Sequence, residues 1–335
     1  MQIGLLTFTS PGGTAAMARN AEERGFDSLV YADTQNLTPE VWSQLMLAAA
    51  ATERIEIGTG VTNPVSRDVA VTASAALGLQ VESGGRVVLG IGRGDSSMAK
   101  IGRKPAPPAE FETYITRLRA YLDGEIVDRE GTPTRIEWLD GVDVPYVPIE
   151  VAATGPKVIE LAARRADRIC FAVGADPVRI KDCIARARAT AAAEGRDPDE
   201  LRFGAYVNCV VNEDREVARE SIRGSLSVFA HFSGFHGMDI DSLPEEVRAA
   251  ARHLREKYDM DDHAVSAGAH AQALEDEFIH RFGIAEPPDV ALTRLEEVCD
   301  TGIDYLRIVP GSRDIEPAVA GQSIRAISEL IEKLR

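Results

Sequence analysis

"IEIGTGVTNPVSRDVAVTASAALGLQVESGGRVVLGIG", residues 55 to 92, holds in one run the unit from which the fold is read. The apolar run Ile55 to Ile57 reads as a short strand covered on both faces, and "VAVTASAALGLQVES" after it reads as a helix. "RVVLGIG" (86 to 92) then begins the next buried strand. Between the first strand and the helix stand a Gly-Thr-Gly hinge, a polar Thr-Asn-Pro turn and the Arg67-Asp68 pair. Such a turn at the end of a buried strand raises the question of what occupies the join.

The same alternation runs through the chain. "IGLLTF" (3 to 8) precedes "TAAMARNAEERG", and "SLVYA" (28 to 32) precedes "PEVWSQLMLAAAAT". "RVVLGIG" is followed by "AEFETYITRLRAYLDG", and "VPIEVAA" (147 to 153) by "PKVIELAARRA". "DRICFAVG" (167 to 174) leads into "PVRIKDCIARARATAAAEG", "RFGAYVNCVV" (202 to 211) into "REVARESIRGSLSVFA", and "YLRIV" (305 to 309) into "PAVAGQSIRAISELIEKL". Eight consecutive buried strands, each with a helix, predict one (β/α)₈ barrel over residues 1 to 335, because closure covers both faces of a parallel sheet and removes its edges. A doubly wound open sheet is the other arrangement compatible with the pattern.

Two segments interrupt the alternation. Residues 125 to 146, with turns around "TRIEWL", predict a small hairpin after the fourth helix. Residues 230 to 285 read as a helical insertion or lid after the seventh strand, and they hold all six histidines: His231, His236, His253, His263, His270 and His280. No pair has HExxH or HxH spacing, so no metal site is expected. An insertion at that place rises near the C-terminal rim of a barrel, as a substrate lid or as a subunit contact.

Composition narrows the function. A formal charge of −16 disfavours nucleic-acid binding, since a phosphate backbone attracts Lys/Arg surfaces and repels this one. The longest apolar stretches are shorter than a membrane span, and no basic leader precedes an apolar run, so a cytoplasmic protein without membrane attachment is expected. Cys170, Cys183, Cys209 and Cys299 lack ligand or disulfide spacing and read as free thiols.

In a barrel the strand C-termini and the loops after them form the active face. "GTGVTNP", Asp33 with Thr34, "GRGDSS" and "ATGPK" all belong to that rim. Each has a plain structural reading: Asp33 and Asp95 as caps, the glycines as turn formers. Their convergence points to a ligand cradle. In "VAATGPKVIEL" Pro156 suits a first helical position, so free N–H groups around Thr154 and Gly155, with Lys157 beside them, suit a phosphate. This is neither a Walker A loop nor a GxGxxG fingerprint.

"GTGVTNPVSRDVAVTASAALGLQVESGGRVVLGIGRGDSSMAKIG" resembles the luciferase-like monooxygenase superfamily, specifically its coenzyme F420-dependent branch typified by methylenetetrahydromethanopterin reductase. "GFDSLVYADT", "VAATGPKVIELAARRAD" and "AYVNCVVNED" extend the resemblance over most of the barrel. It fades between about 213 and 285.

The resemblance implies a non-prolyl cis peptide at Gly60–Val61 supporting one face of a deazaflavin or flavin ring, with Thr62 and Asn63 bonding its polar edge. It implies Asp33 and Asp95 as the acidic groups flanking the ring, and Thr154, Gly155, Pro156 and Lys157 as the loop for the phosphate-bearing side chain. Ala153 and Gly174 are carried over as further cofactor contacts. Asp95 is the candidate catalytic proton donor, and Asp33 the candidate for bonding the ring. Two departures bear on the substrate: Thr34 stands where alcohol- and sugar-oxidising relatives have His, and Leu6 where the reductase has an acid. A neutral hydroxyl is a poor base at pH 7, which disfavours alcohol oxidation by that route.

The implied activity is hydride transfer between the C5 of F420 and a small organic substrate. The competing readings are an FMN-dependent monooxygenase and a barrel that binds a flavin or other ligand without catalysis. The Ala-rich faces of "VWSQLMLAAAA" and "VTASAALGL" allow close helix contact, so a homodimer or larger homo-oligomer is expected.

Overall fold

The computed structural model describes residues 1–232 and 245–335. The strands are β1 (Gln2–Thr7), β2 (Ser28–Tyr31), β3 (Glu56–Thr59), β4 (Val87–Ile91), β5 (Val127–Arg129), β6 (Thr132–Thr134), β7 (Ile149–Ala153), β8 (Arg168–Phe171), β9 (Arg202–Val211), β10 (Ile284–Glu286) and β11 (Tyr305–Val309). The helices are α1 (Thr14–Glu23), α2 (Val41–Ala50), α3 (Val69–Ser83), α4 (Ser96–Ala99), α5 (Pro108–Leu122), α6 (Pro156–Arg165), α7 (Pro177–Ala193), α8 (Arg215–Phe232), α9 (Glu245–Lys257), α10 (Ala269–Gln272), α11 (Asp276–Phe282), α12 (Pro288–Cys299) and α13 (Pro317–Leu334).

Eight parallel strands close into a barrel. β1 to β4 pair in order, β4 pairs with β7, β7 with β8, β8 with β9, β9 with β11, and β11 returns to β1 with Gln2 opposite Tyr305 and Leu5 opposite Ile308. The chain is therefore a (β/α)₈ barrel, and the open-sheet alternative falls because each of these eight strands has a neighbour on both sides. Alternation along each strand divides the side chains. Ile3, Leu5, Leu29, Ile57, Leu89 and Ile149 pack into the helix layer, while Leu6, Val30, Val88, Cys170, Tyr206 and Val309 face the interior.

The lower interior is polar. Arg307 is fully buried, 3.0 Å from Glu150 and 3.4 Å from Glu56, and Arg168 meets Glu56 at 2.8 Å. The Tyr206 hydroxyl donates to Glu150 at 3.3 Å. These opposite charges satisfy one another, and that is the condition on which charge is tolerated inside a protein.

β5 and β6 pair antiparallel within the segment 125 to 146. The insertion begins earlier than expected. α8 was read as the seventh helix of the barrel layer, but its apolar stripe, Ala218, Ile222 and Leu226, packs with Leu254 of α9 and Phe278 and Phe282 of α11 in a cluster of its own. The layer position goes to α12, whose Ala291, Leu295 and Val298 join the main core. β10 brings the chain back by pairing with the upper end of β9, Ile284 opposite Cys209. An amphipathic pattern reports an apolar face without its partner, so α8 and α12 read alike in sequence. The "SGFHG" segment with His236 lies outside the described residues.

Candidate active site

The turn that follows β3 is the centre of the rim. The peptide bond Gly60–Val61 is cis. Gly60 lies over the barrel interior, where an added Cβ would come within 2.6 Å of Val30 Cγ2 and 2.7 Å of Leu6 Cδ1. Val61 projects toward β4, and a Cβ on Gly92 would lie 2.9 Å from Val61 Cγ2. The glycines at 60 and 92 are thus cut to fit their neighbours. Backbone bonds from Thr62 N to Gly90 O and from Gly92 N to Thr62 O, both 2.9 Å, fasten the turn to β4.

Thr62 and Asn63 do not take the roles expected of them. The Thr62 hydroxyl donates to Asp33 Oδ2 at 2.7 Å, and Asn63 Oδ1 accepts from the amides of Val65 and Ser66 at 3.0 and 2.9 Å. Asn63 Nδ2 turns to Ser97 Oγ at 3.4 Å. Both side chains are buried and spent on the turn itself, so they brace the wall and present no edge to a ligand.

Asp33 is equally committed. Its side chain is 1% exposed and is gripped by the Arg67 guanidinium, with Arg67 Nη2 3.2 Å from Oδ1. Arg67 also pairs with Glu40 at 2.8 Å. A carboxylate holding a two-pronged cation and a hydroxyl is a positioning group. The Arg-Asp pair after the turn is thereby explained: Arg67 reaches back to Asp33, and Asp68 caps α3 by accepting from Ala70 N at 2.9 Å. Arg67 was not singled out from sequence, where nothing marks a partner 34 positions away.

Asp95 is the contrast. It stands at the cap position of α4, yet its side chain makes no capping bond; only its carbonyl accepts, from the amides of Met98 and Ala99. Burial pushes its carboxyl up to about 6, an effect that Arg93 moderates. It lines a cavity of about 2440 Å³ at the C-terminal face, together with Asp33, Gly60, Val61, Thr154, Gly155, Pro156 and Lys157.

The loop ahead of α6 is shaped for an anion. Gly155 caps the helix without a side chain, Pro156 takes the first helical position, and no atom lies within 4 Å of where a Gly155 Cβ would be. Pro156 has no N–H and Val158 N donates to Gly155 O at 3.1 Å, so the Lys157 amide and the helix dipole are what this N-terminus offers an anion. Arg179, not foreseen from sequence, lines the same cavity from the first turn of α7. Two expected contacts fall away: Ala153 points into the helix-layer core, and Gly174, with φ +83°, packs against Phe282, whose carbonyl oxygen would lie 2.9 Å from an added Cβ.

The insertion walls the cavity from the other side with Val228, Phe229, His231, His263 and Ala264. It is tied across the rim by Lys100–Asp261 at 3.3 Å, by Arg313 N to Ala264 O at 2.8 Å and by Ser266 N to Asp314 Oδ1 at 2.8 Å. Tyr258 OH lies 2.8 Å from His263 Nδ1, and burial lowers the His263 imidazole to about 3, so it is neutral at physiological pH. Among the described residues no group of His, Cys, Asp and Glu side chains could hold a metal, and no helix is long and apolar enough to cross a membrane.

Residues 3–305 match the luciferase-like monooxygenase family, and the chain belongs to it. It is 31% identical to the 5,10-methylenetetrahydromethanopterin reductase of Archaeoglobus fulgidus, over 94% of this chain and 93% of that one. The enzyme of the same name from Methanolobus tindarius is 29% identical over 89% of both chains. The solved coenzyme F420-dependent tetrahydromethanopterin reductase of Methanopyrus kandleri superposes with a TM-score of 0.74 at 22% identity, covering 99% of this chain and 98% of that one, and so shares the fold.

Proposed function

We propose that this luciferase-like monooxygenase family member is an oxidoreductase that uses coenzyme F420 to move a hydride to or from a small organic substrate. The observation that carries the reading is Asp95: a carboxyl desolvated to a value near neutrality, without a capping duty, on the wall of the rim cavity. The residues present suit the cofactor. Open ground before the uncapped α6 helix, with Lys157 and Arg179 at its border, fits a phosphate-bearing side chain, and the Val61 turn offers a flat, braced wall for a ring. The 25% identity to an F420-dependent glucose-6-phosphate dehydrogenase of Mycolicibacterium gilvum, over 92% of this chain and 94% of that one, supports F420 over FMN.

When bound, the deazaflavin supplies two electrons and a proton as hydride at C5. This chain's part is placement and proton control. Thr154 to Lys157 would hold the anionic portion, and Gly60 and Val61 would back the ring. Asp33 keeps that turn in place through Thr62 and Arg67. Asp95 holds a proton on a carboxyl oxygen at pH values up to about 6 and offers it, or a hydrogen bond, to the substrate. Val228 and Phe229 exclude water from the insertion side. Titration of the purified protein with F420 and with FMN tests the assignment. Saturable F420 binding with weaker FMN binding is expected, and tighter FMN binding overturns it.

The working unit is proposed to be a homodimer or larger. Leu47 on α2 and Val71 on α3 are 51% and 57% exposed on neighbouring helices, and an apolar face of that kind is suited to a second copy. Light scattering on a Leu47→Glu, Val71→Glu variant should report monomer while the parent protein does not. A monomeric parent removes the proposal.

A further inference from the structure

Two histidines of the insertion, His231 and His263, line the rim cavity, and both touch the same tyrosine. Tyr258 follows α9 directly. The His231 ring stacks on it with centroids 4.1 Å apart and planes 16° apart, and its hydroxyl lies 2.8 Å from His263 Nδ1. His270 packs on the same ring at 4.4 Å.

His263 is 3% exposed, and the chain beside it is pinned. Ala264, next in sequence, has φ +62°, a left-handed conformation that residues other than glycine keep only where the surroundings impose it. Those surroundings are visible. Arg313 donates from its amide to Ala264 O at 2.8 Å and from Nη1 to His263 O at 3.0 Å, and a Cβ on Gly224 of α8 would stand 2.7 Å from the Ala264 carbonyl carbon.

The pair lies on the Asp95 side of the cavity. Lys100, which ends the short helix after Asp95, pairs with Asp261, just before His263, and the Asp95 charge acts on the Tyr258 hydroxyl. Burial first, then Arg313, His231 and Lys100, keep the His263 imidazole uncharged. The Ala264 backbone amide hydrogen-bonds the Tyr258 oxygen, so the phenol's own hydrogen is given to His263 Nδ1. The one proton of the neutral ring is then on Nε2, which makes His263 a donor and no base.

Resting on the F420 reading above, we infer that His263 binds the oxygen of a carbonyl substrate through Nε2–H, with Tyr258 as its positioning residue and Asp95 completing the site. Hydride from the reduced cofactor adds to the carbonyl carbon, the C=O π pair moves onto oxygen, and the cofactor is left oxidised. The His263 hydrogen bond, with the Arg313 and Lys100 cations that act on the same ring, meets the charge that develops on that oxygen. The Asp95 proton closes the O–H bond, and solvent returns a proton to Asp95. Both imidazole nitrogens are committed, one to Tyr258 and one to its own proton, so the histidine cannot take a proton from an alcohol.

NMR of protein labelled with nitrogen-15 at histidine tests this with four probes, cyclohexanone, 2-cyclohexenone, cyclohexanol and cyclohexanecarboxylate, each without and with F420. The His263 Nε2–H signal, assigned by its loss in His263→Gln, should move saturably with the two ketones, which should bind about fivefold tighter than the alcohol or the carboxylate. Tyr258→Phe keeps the ring and removes the hydroxyl. It should lower kcat for ketone reduction by about tenfold and leave KM and F420 affinity within about twofold, the mark of an interaction made in the transition state. His280→Gln alters a half-exposed histidine of the same insertion that faces Glu286 outside the cavity, and should change neither the signal nor the rate. No movement with either ketone, an equal response to cyclohexanol or the carboxylate, or a Tyr258→Phe variant that loses thermal stability and keeps kcat overturns the assignment. Failure of F420 to bind overturns the cofactor reading instead, and the titrations without it still decide His263.

Discussion

Two carboxylates stand at the C-terminal ends of barrel strands on either side of β3, Asp33 after β2 and Asp95 after β4, and each is followed by a hydroxyl residue. In the fold they are opposites. Asp33 is enclosed by Arg67 and Thr62, and its charge is met on both oxygens. Asp95 is desolvated and its carboxyl spares no bond for the helix it precedes. What separates the two acids is therefore the partner: Asp33 has one 34 residues away in Arg67, and among the described residues no ion pair holds the Asp95 carboxyl. The catalytic role is proposed for Asp95 and a positioning role for Asp33.

The largest effect should fall on turnover. Asp95→Asn keeps size and polarity and removes the ionisable proton, so F420 binding should persist while turnover, followed by loss of deazaflavin absorbance with an accepted substrate, drops by about 10² to 10⁴. Equal loss of cofactor affinity and rate would make Asp95 a binding group. An unchanged rate would erase the contrast with Asp33.

Next in size is the stability of the brace. Asp33→Ala leaves the Arg67 cation facing only the half-exposed Glu40, and removing one partner of a buried pair typically destabilises by about 3 to 5 kcal/mol. Urea denaturation should show that loss, and Arg67→Met added to it should recover part, since no lone charge then remains. A loss below about 1 kcal/mol would mean that the pair is no brace.

Asp95 should also show itself in the pH dependence of stability. Its folded value, about 6, lies above the unfolded value near 3.8, so the fold disfavours the ionised form. Below 3.8 the group is neutral in both states and nothing is lost. Between 3.8 and 6 a penalty builds, reaching about 3 kcal/mol for a shift of this size. The Asn variant escapes it and should gain on the parent protein by up to that amount between pH 3.5 and pH 7.5. A pH-independent difference would show that Asp95 is solvated.

How far this could be read from residues differs by level. The βα alternation carries the barrel because each strand and helix announces itself over a few consecutive residues. That Asp95 and Thr154 to Lys157 line one cavity was legible because strand ends in a barrel share one rim. Arg67 was not, because an ion pair between residues 34 apart leaves no local trace. Thr62 and Asn63 misled for a related reason: a polar turn residue looks the same whether it bonds a ligand or its own loop. The exchange of α8 for α12 in the helix layer arose because both are amphipathic, and only the packing of α9 and α11 against α8 tells them apart.

The smallest effect belongs to a third acid, Asp68, which supplies the control for the other two. It caps α3 through Ala70 N and pairs with Arg129 at 2.7 Å while remaining half exposed. The bond from Arg129 is the first cause holding its carboxyl below the usual range. Its contribution is therefore present above the unfolded value near 3.8 and is lost as pH falls through the lower folded value, the reverse of Asp95. Asp68→Ala should destabilise by about 1 kcal/mol at pH 7, while Asp68→Asn, which caps nearly as well, should lose only a few tenths for the weakened Arg129 pair. Neither should alter turnover. The same Asn substitution is thus near-silent at a capping acid and severe at a working one. If Asp68→Asn proved as damaging to turnover as Asp95→Asn, the loss would reflect any negative charge removed near the rim, and the distinction drawn from the absent cap at Asp95 would fail.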